Sequence, residues 1–88
     1  MTTLEKAVKR FGAEHQARKL CEECGELMTA VMHCLESRDS ADHVAEEIAD
    51  VTIMMEQMLI AFGIKRARVN WWMDTKLERL RERLENHD

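Results

Sequence analysis

The sequence predicts an all-α protein: an antiparallel helical bundle built on a central two-helix hairpin, with about four helices per chain and completed by oligomerisation. Three observations support this fold class. The 88 residues contain no proline and only three glycines, the residues that most often interrupt helices. Two segments carry apolar residues at alternating steps of four and three, the spacing of helices that pack side by side. A short polar turn joins these segments, as in an antiparallel hairpin.

The helix boundaries follow from the turn residues, and we expect one domain over residues 1–88. The predicted helices cover residues 3–11, 14–36, 42–62 and 64–86. Gly12 and Gly63 separate the first and the last pair, because glycine commonly ends a helix. The turn at 37–40 reads Ser-Arg-Asp-Ser, and Asp39 or Ser40 is the expected cap of the third helix.

Composition and charge exclude several classes of function. With 45% hydrophobic and 34% charged residues, the chain is too apolar for a disordered protein and too charged for a membrane protein. A net charge of −4 gives no electrostatic reason for nucleic-acid binding. The odd count of three cysteines fits poorly with a disulfide framework. We therefore expect a cytoplasmic protein with neither a nucleic-acid nor a membrane partner.

The second and third predicted helices each carry an apolar seam. The seam residues are Ala13, Ala17, Leu20, Cys24, Leu27, Val31 and Cys34 on the second helix, and Val44, Ile48, Val51, Met55, Met58 and Phe62 on the third. We expect the two seams to face each other. The third helix has a second apolar surface, formed by Met54, Leu59, Ile60 and Ala61. Since this surface also needs burial, we expect a homodimer or a dimer of dimers.

The same two helices also carry acidic motifs. These are Cys-Glu-Glu-Cys-Gly-Glu-Leu at 21–27 and Ala-Glu-Glu-Ile-Ala-Asp-Val at 45–51. Glu23 and Glu26 are three residues apart, as are Glu47 and Asp50, so each pair shares one helix face. An antiparallel pair of helices brings matching flanks together. The pairing of Glu23 with Asp50 and that of Glu26 with Glu47 share one midpoint in the sequence, which lies close to the turn. We expect the carboxylates to converge at one height beside the hairpin.

Converging carboxylates favour a bound cation. Like charges in contact raise each other's pKa values and oppose folding. Mg²⁺ prefers oxygen ligands and is often shared between carboxylates and substrate phosphates. Acidic residues at this spacing are also common on solvated helix faces, but two motifs on matching flanks favour a site. The prediction is a carboxylate-bound Mg²⁺, with Mn²⁺ as a possible substitute, for phosphate chemistry.

At these residues the sequence resembles the MazG-like all-α nucleoside triphosphate pyrophosphohydrolases. The signature of that family is Glu-Glu-x-x-Glu on one helix and Glu-x-x-Asp on the next. Here it reads Glu22-Glu23-Cys24-Gly25-Glu26 and Glu47-Ile48-Ala49-Asp50. Gly12 and Gln16 fit the glycine and glutamine that often precede the first motif, and residues 76–83 resemble the basic stretch of many short members. The resemblance covers nearly the whole chain.

The resemblance implies hydrolysis of a nucleoside triphosphate between its α- and β-phosphates, giving the monophosphate and pyrophosphate. It implies Mg²⁺ ligands at Glu23, Glu26, Glu47 and Asp50, and catalytic carboxylates at Glu22 and Glu46 that orient water or hold a second metal shell. It also implies substrate contacts from Lys76 and Arg79 to the phosphates and from Gln16 to the base or sugar.

Other interpretations remain open. A related helical pyrophosphohydrolase acting on another nucleotide fits the same motifs. A non-enzymatic helical scaffold fits the seams but leaves the paired acidic flanks unexplained. A zinc site is disfavoured, because Cys24 and His33 lie roughly 13 Å apart along a straight helix. The histidines show no arrangement that indicates catalysis; they are His15, His33, His43 and His87.

Overall fold

The computed structural model describes residues 1–86, and over that range it contains four α-helices and no β-strand. The helices are α1 (Thr3–Phe11), α2 (Ala13–Leu35), α3 (Ala41–Ala61) and α4 (Arg66–Asn86). The predicted all-α class and helix number are confirmed, with boundaries that differ by at most two residues. One of the four histidines considered above, His87, lies outside the described residues.

The first helix begins with a capping box. The Thr2 side chain accepts a hydrogen bond from the Glu5 amide at 3.2 Å, and the Glu5 carboxylate accepts one from the Thr2 amide at 2.9 Å. These two bonds satisfy amide groups that the start of a helix leaves without intrahelical partners. Gly12 ends α1 at φ 92°, a conformation that favours glycine, and α2 begins at the next residue.

The turn between α2 and α3 sets the antiparallel pairing. Ser37 adopts φ 60°, and the Arg38 amide donates to the His33 carbonyl at 2.8 Å, which closes the end of α2. The Ser40 hydroxyl then accepts a hydrogen bond from the His43 amide at 3.2 Å. Of the two predicted caps of α3, Ser40 is therefore the residue that caps it.

The face along which α2 and α3 pack is rotated from the predicted seams. The residues that are buried on these two helices are Gln16, Glu23 and Ala30 on α2, and Glu47, Val51, Met54, Gln57 and Met58 on α3. Ile48, Met55 and Phe62 were expected in the seam but are 49%, 46% and 62% exposed. The prediction of these positions was wrong because the packing face of α3 is shifted by one residue, or about 100° around the helix axis. Glu47 and Met54 are buried against α2 in place of their neighbours Ile48 and Met55. Because of this rotation, Glu23 and Glu47 of the acidic motifs lie in the interface between the two helices.

The fourth helix extends away from the rest of the chain. Within residues 1–86, α4 has no buried residue and makes no extensive packing contact with α1, α2 or α3. An ion pair between Arg66 and Glu56 holds its first turn to α3. The radius of gyration is 16.3 Å, whereas a compact chain of this length would have about 12 Å. One chain is therefore an elongated unit of 50 × 36 × 19 Å.

Among the described residues, no helix combines the length and the apolar composition needed to cross a membrane.

The capping box of α1 predicts a pH dependence. Hydrogen bonds from the Thr2 amide and then from its hydroxyl lower the pKa of Glu5 from its ordinary value of 4.5. Because this pKa is lowered, the stabilisation is present above 4.5 and is lost as the pH falls through the folded-state pKa. Carbon-detected NMR titration of the Glu5 carboxyl should give a midpoint below 4.5 that rises in Thr2→Ala. A midpoint in the wild type at or above the ordinary value would show that the box does not form.

Candidate metal centre between α2 and α3

Three carboxylates meet at the interface of α2 and α3. Glu23 and Glu47 are buried and approach from opposite helices, while Glu26 lies one turn beyond Glu23 and is exposed. Each offers an oxygen, and these oxygens lie within 4.8 Å of one another. The antiparallel pairing places the two motifs at the same height, as their spacing from the turn predicts. The structure thus brings together three of the four predicted metal ligands.

The two buried carboxylates are incompletely satisfied. The Glu23 side chain is 12% exposed, and one of its oxygens lies 3.4 Å from Lys19 Nζ. The Glu47 side chain is 9% exposed, and its Oε1 accepts a hydrogen bond from His43 Nε2 at 3.2 Å. Within residues 1–86, the second oxygen of each group is buried with no hydrogen-bond partner. Leaving such oxygens unsatisfied costs free energy that a cation would recover.

Mutual repulsion between the carboxylates acts on the pKa of Glu26. Its pKa is raised above the ordinary value, first by the charge of Glu23, then by burial and then by the charge of Glu47. A raised carboxylate pKa means that the cluster resists carrying its full negative charge. A divalent cation would relieve this repulsion, and the all-oxygen donor set is the kind that Mg²⁺ takes. The residues present therefore fit the predicted ion.

A histidine stands next to the cluster. His43 donates from Nδ1 to Asp39 and from Nε2 to Glu47, each one helical turn away. The hydrogen bond and the charge of Asp39 are the largest influences, and they raise the pKa of His43. The same hydrogen bond is the main reason why the pKa of Asp39 is lowered. The sequence analysis missed this chain of contacts, although the spacing of four residues from Asp39 to His43 and from His43 to Glu47 is readable.

Two of the three carboxylates, those of Glu26 and Glu47, open onto a cleft of about 570 Å³. Its walls include Glu22, Glu26 and His33 from α2, and His43 and Glu47 from α3. A volume of this order is typical of small-molecule sites. Glu22 therefore faces the same space as the carboxylate group, as its predicted catalytic role requires.

The other predicted site residues lie at different distances from the group. Among the described residues, Asp50 is half-buried on α3 and is not part of the three-carboxylate group. Glu46 is exposed, and its carboxylate lies within 4.8 Å of ligand atoms of His43 and Glu47. Lys76 and Arg79 are exposed on α4, and within residues 1–86 they do not line the cleft.

Gln16, the predicted contact to base or sugar, is buried two turns before Glu23. Its side-chain amide donates to the Gln57 side-chain oxygen at 2.7 Å, and its own oxygen lies 2.7 Å from His15 Nδ1. This pair of glutamines bridges α2 and α3 inside the hairpin. In this conformation Gln16 contributes to helix pairing.

Comparison with known proteins adds no relative to these observations: no protein-family model, no curated protein and no solved structure matches the chain. The functional argument therefore depends on the residues and on the geometry described above.

Neutralising one member of the carboxylate group tests the repulsion. In the presence of a chelator at neutral pH, Glu26→Gln should raise the melting temperature, because it removes a charge that Glu23 and Glu47 oppose. Added Mg²⁺ should then raise the melting temperature by less than it does in the wild type. The matched control is Glu14→Gln, which changes an exposed glutamate of α2 that pairs with Arg18. Equal behaviour of the two variants, measured by calorimetry, would contradict a charged cluster at Glu26.

The glutamine pair predicts a non-additive effect on stability. Gln57→Leu leaves the buried Gln16 amide without its partner, which should cost roughly 1–3 kcal/mol in the free energy of unfolding. The double variant Gln16→Leu/Gln57→Leu replaces both groups with apolar ones and should lose less than the single variant. Urea denaturation gives both values. Additive losses would show that the two amides do not depend on each other.

Proposed function

We propose that the chain is a Mg²⁺-dependent hydrolase of the cytoplasm, which cleaves a nucleoside triphosphate between its α- and β-phosphates to give the monophosphate and pyrophosphate. One observation carries the proposal. Two buried carboxylates from opposite helices, Glu23 and Glu47, each leave an oxygen without a partner among residues 1–86, and Glu47 lines an open cleft. The resemblance to the MazG-like pyrophosphohydrolases, seen in the sequence, supports the choice of reaction.

In this proposal Glu23, Glu26 and Glu47 would hold the cation. The resemblance also assigns a ligand role to Asp50, which lies outside the three-carboxylate group in the described part of the chain. Bound Mg²⁺ would neutralise phosphate charge and polarise the phosphoryl group under attack. Mn²⁺ would serve in the same position, because it also accepts carboxylate ligands.

The other carboxylates of the motifs act on water. Glu22 faces the cleft from α2, and Glu46 lies on α3 beside His43. An exposed carboxylate in either place can accept a hydrogen bond from a water molecule and so direct the lone pair of the water oxygen at phosphorus. Gln16 would reach the base or sugar only by giving up its bond to Gln57, so its role as a substrate contact requires a rearrangement of the hairpin interior.

The phosphate-binding residues suggest how the site is completed. Since Lys76 and Arg79 lie on the projecting α4 and, among the described residues, do not line their own chain's cleft, we propose that they reach the cleft of a second copy. Helix α4 carries an apolar stripe for such an assembly, formed by the exposed residues Met73, Leu77, Leu80 and Leu84 at the three-and-four spacing of one helix face. A homodimer or a dimer of dimers would bury this surface. A monomer by light scattering at low micromolar concentration would contradict it.

Pyrophosphate release from a panel of ribo- and deoxynucleoside triphosphates, with and without Mg²⁺, tests the reaction. We expect Mg²⁺-dependent release together with the matching monophosphate. Glu47→Ala should lower the rate by more than roughly 100-fold, since mutation of even an outer-shell partner of a metal site typically lowers metal affinity or activity by roughly 10–100-fold. Glu14→Gln, on the exposed side of α2, should keep the wild-type rate.

Two outcomes would contradict the proposal. Retained activity in a folded Glu47→Ala variant would remove that residue from the site. Without release from any triphosphate by folded, Mg²⁺-supplied protein, the two remaining candidates would be a pyrophosphohydrolase of another nucleotide and a helical scaffold. Products measured with a wider nucleotide panel separate those two, because a scaffold hydrolyses none.

A further inference from the structure

A second group of potential ligands lies on α3 alone. His43, Glu46 and Glu47 each offer one ligand atom, and these atoms lie within 4.8 Å of one another. Their spacing of three and four residues places them on one face of one helix. All three ligands of this group therefore come from α3, and none comes from α2.

The buried member of this group has unused capacity to bind a cation. Glu47 is 7% exposed, and within residues 1–86 its Oε2 has no hydrogen-bond partner. Its Oε1 has only the contact with His43 Nε2. A carboxylate with two separately directed oxygens can bridge two cations, one beside Glu23 and Glu26 and one beside His43 and Glu46.

The histidine is oriented as a metal-ligating histidine usually is. Its Nδ1 donates to the Asp39 carboxylate, which fixes the ring and leaves Nε2 facing Glu47. A cation bound at Nε2 replaces the proton that this nitrogen otherwise donates to Glu47, and that proton is released to water. Histidines that bind metals almost always donate their other ring N–H to a carboxylate or carbonyl, and that partner tunes the affinity. Asp39 is held in turn by the backbone of the hairpin, where its carboxylate accepts from the Ser40 amide at 2.8 Å.

We propose that His43, Glu46 and Glu47 form a second cation site, with Asp39 as the residue that orients His43, and that this site takes a first-row transition cation. An imidazole nitrogen among the ligands favours such cations over Mg²⁺, which prefers oxygen alone. The second site is therefore chemically distinct from the all-oxygen group that it adjoins. The proposal does not require the chain to hydrolyse a nucleotide.

Proton NMR of the full chain with Co²⁺, in the presence of excess Mg²⁺, tests the site. A histidine bound through Nε2 to paramagnetic Co²⁺ keeps its Nδ1–H, which gives a strongly shifted, solvent-exchangeable resonance. We expect one such resonance in the wild type and its loss in His43→Asn. The matched control is His33→Asn, because His33 lines the same cleft from α2 and should leave the resonance in place.

A second variant keeps the test valid if His43→Asn folds poorly. Asp39→Asn retains the histidine but weakens its orientation, and it should reduce the Co²⁺ affinity by roughly 10–100-fold in calorimetric titration. Glu46→Gln should also weaken binding. The proposal is overturned if the wild type gives no shifted exchangeable resonance, if the resonance persists in folded His43→Asn, or if Asp39→Asn binds Co²⁺ as tightly as the wild type.

Discussion

The burial of two carboxylates between α2 and α3 is the constraint on which the rest of the structure depends. Glu23 and Glu47 occupy positions that apolar side chains would fill in a hairpin selected for stability alone. Within residues 1–86 the buried apolar side chains are only Ala30, Val51, Met54 and Met58. A core this small, divided by charged groups, stabilises a single chain weakly. A bound cation and a partner chain are the two additions that would strengthen it.

The sequence predicted the elements of the fold better than their rotation. Turn residues identified the three breaks between the helices because glycine, serine and aspartate have local conformational preferences that do not depend on packing. The level along the hairpin axis at which the acidic motifs meet was predicted correctly, because the two motifs lie about equally far in sequence from the turn. The packing face did not follow, because Met54 and Met55 are both apolar and lie about 100° apart, so periodicity alone cannot choose between them. The choice of Met54 buries Glu47 and exposes Ile48.

The candidate site was also predictable only in part. The motifs identified Glu23, Glu26 and Glu47, which the structure brings together, but the rotation leaves Asp50 outside the group in the described part of the chain. The link from Asp39 through His43 to Glu47 was missed because a histidine was weighed as a catalyst or zinc ligand and not as a neighbour four residues from two carboxylates. The position of α4 relative to the cleft depends on contacts between chains, which a single sequence does not specify.

Anomalous diffraction from crystals grown with Mn²⁺ tests most directly whether the interface of α2 and α3 holds a divalent cation. The account predicts a peak about 2.2 Å from carboxylate oxygens of Glu23, Glu26 and Glu47. It also predicts that the two oxygens without partners in the described residues are among the ligands. Ordered carboxylates with no peak between them, in crystals that contain Mn²⁺, would contradict the account. The buried charges would then need another physical explanation.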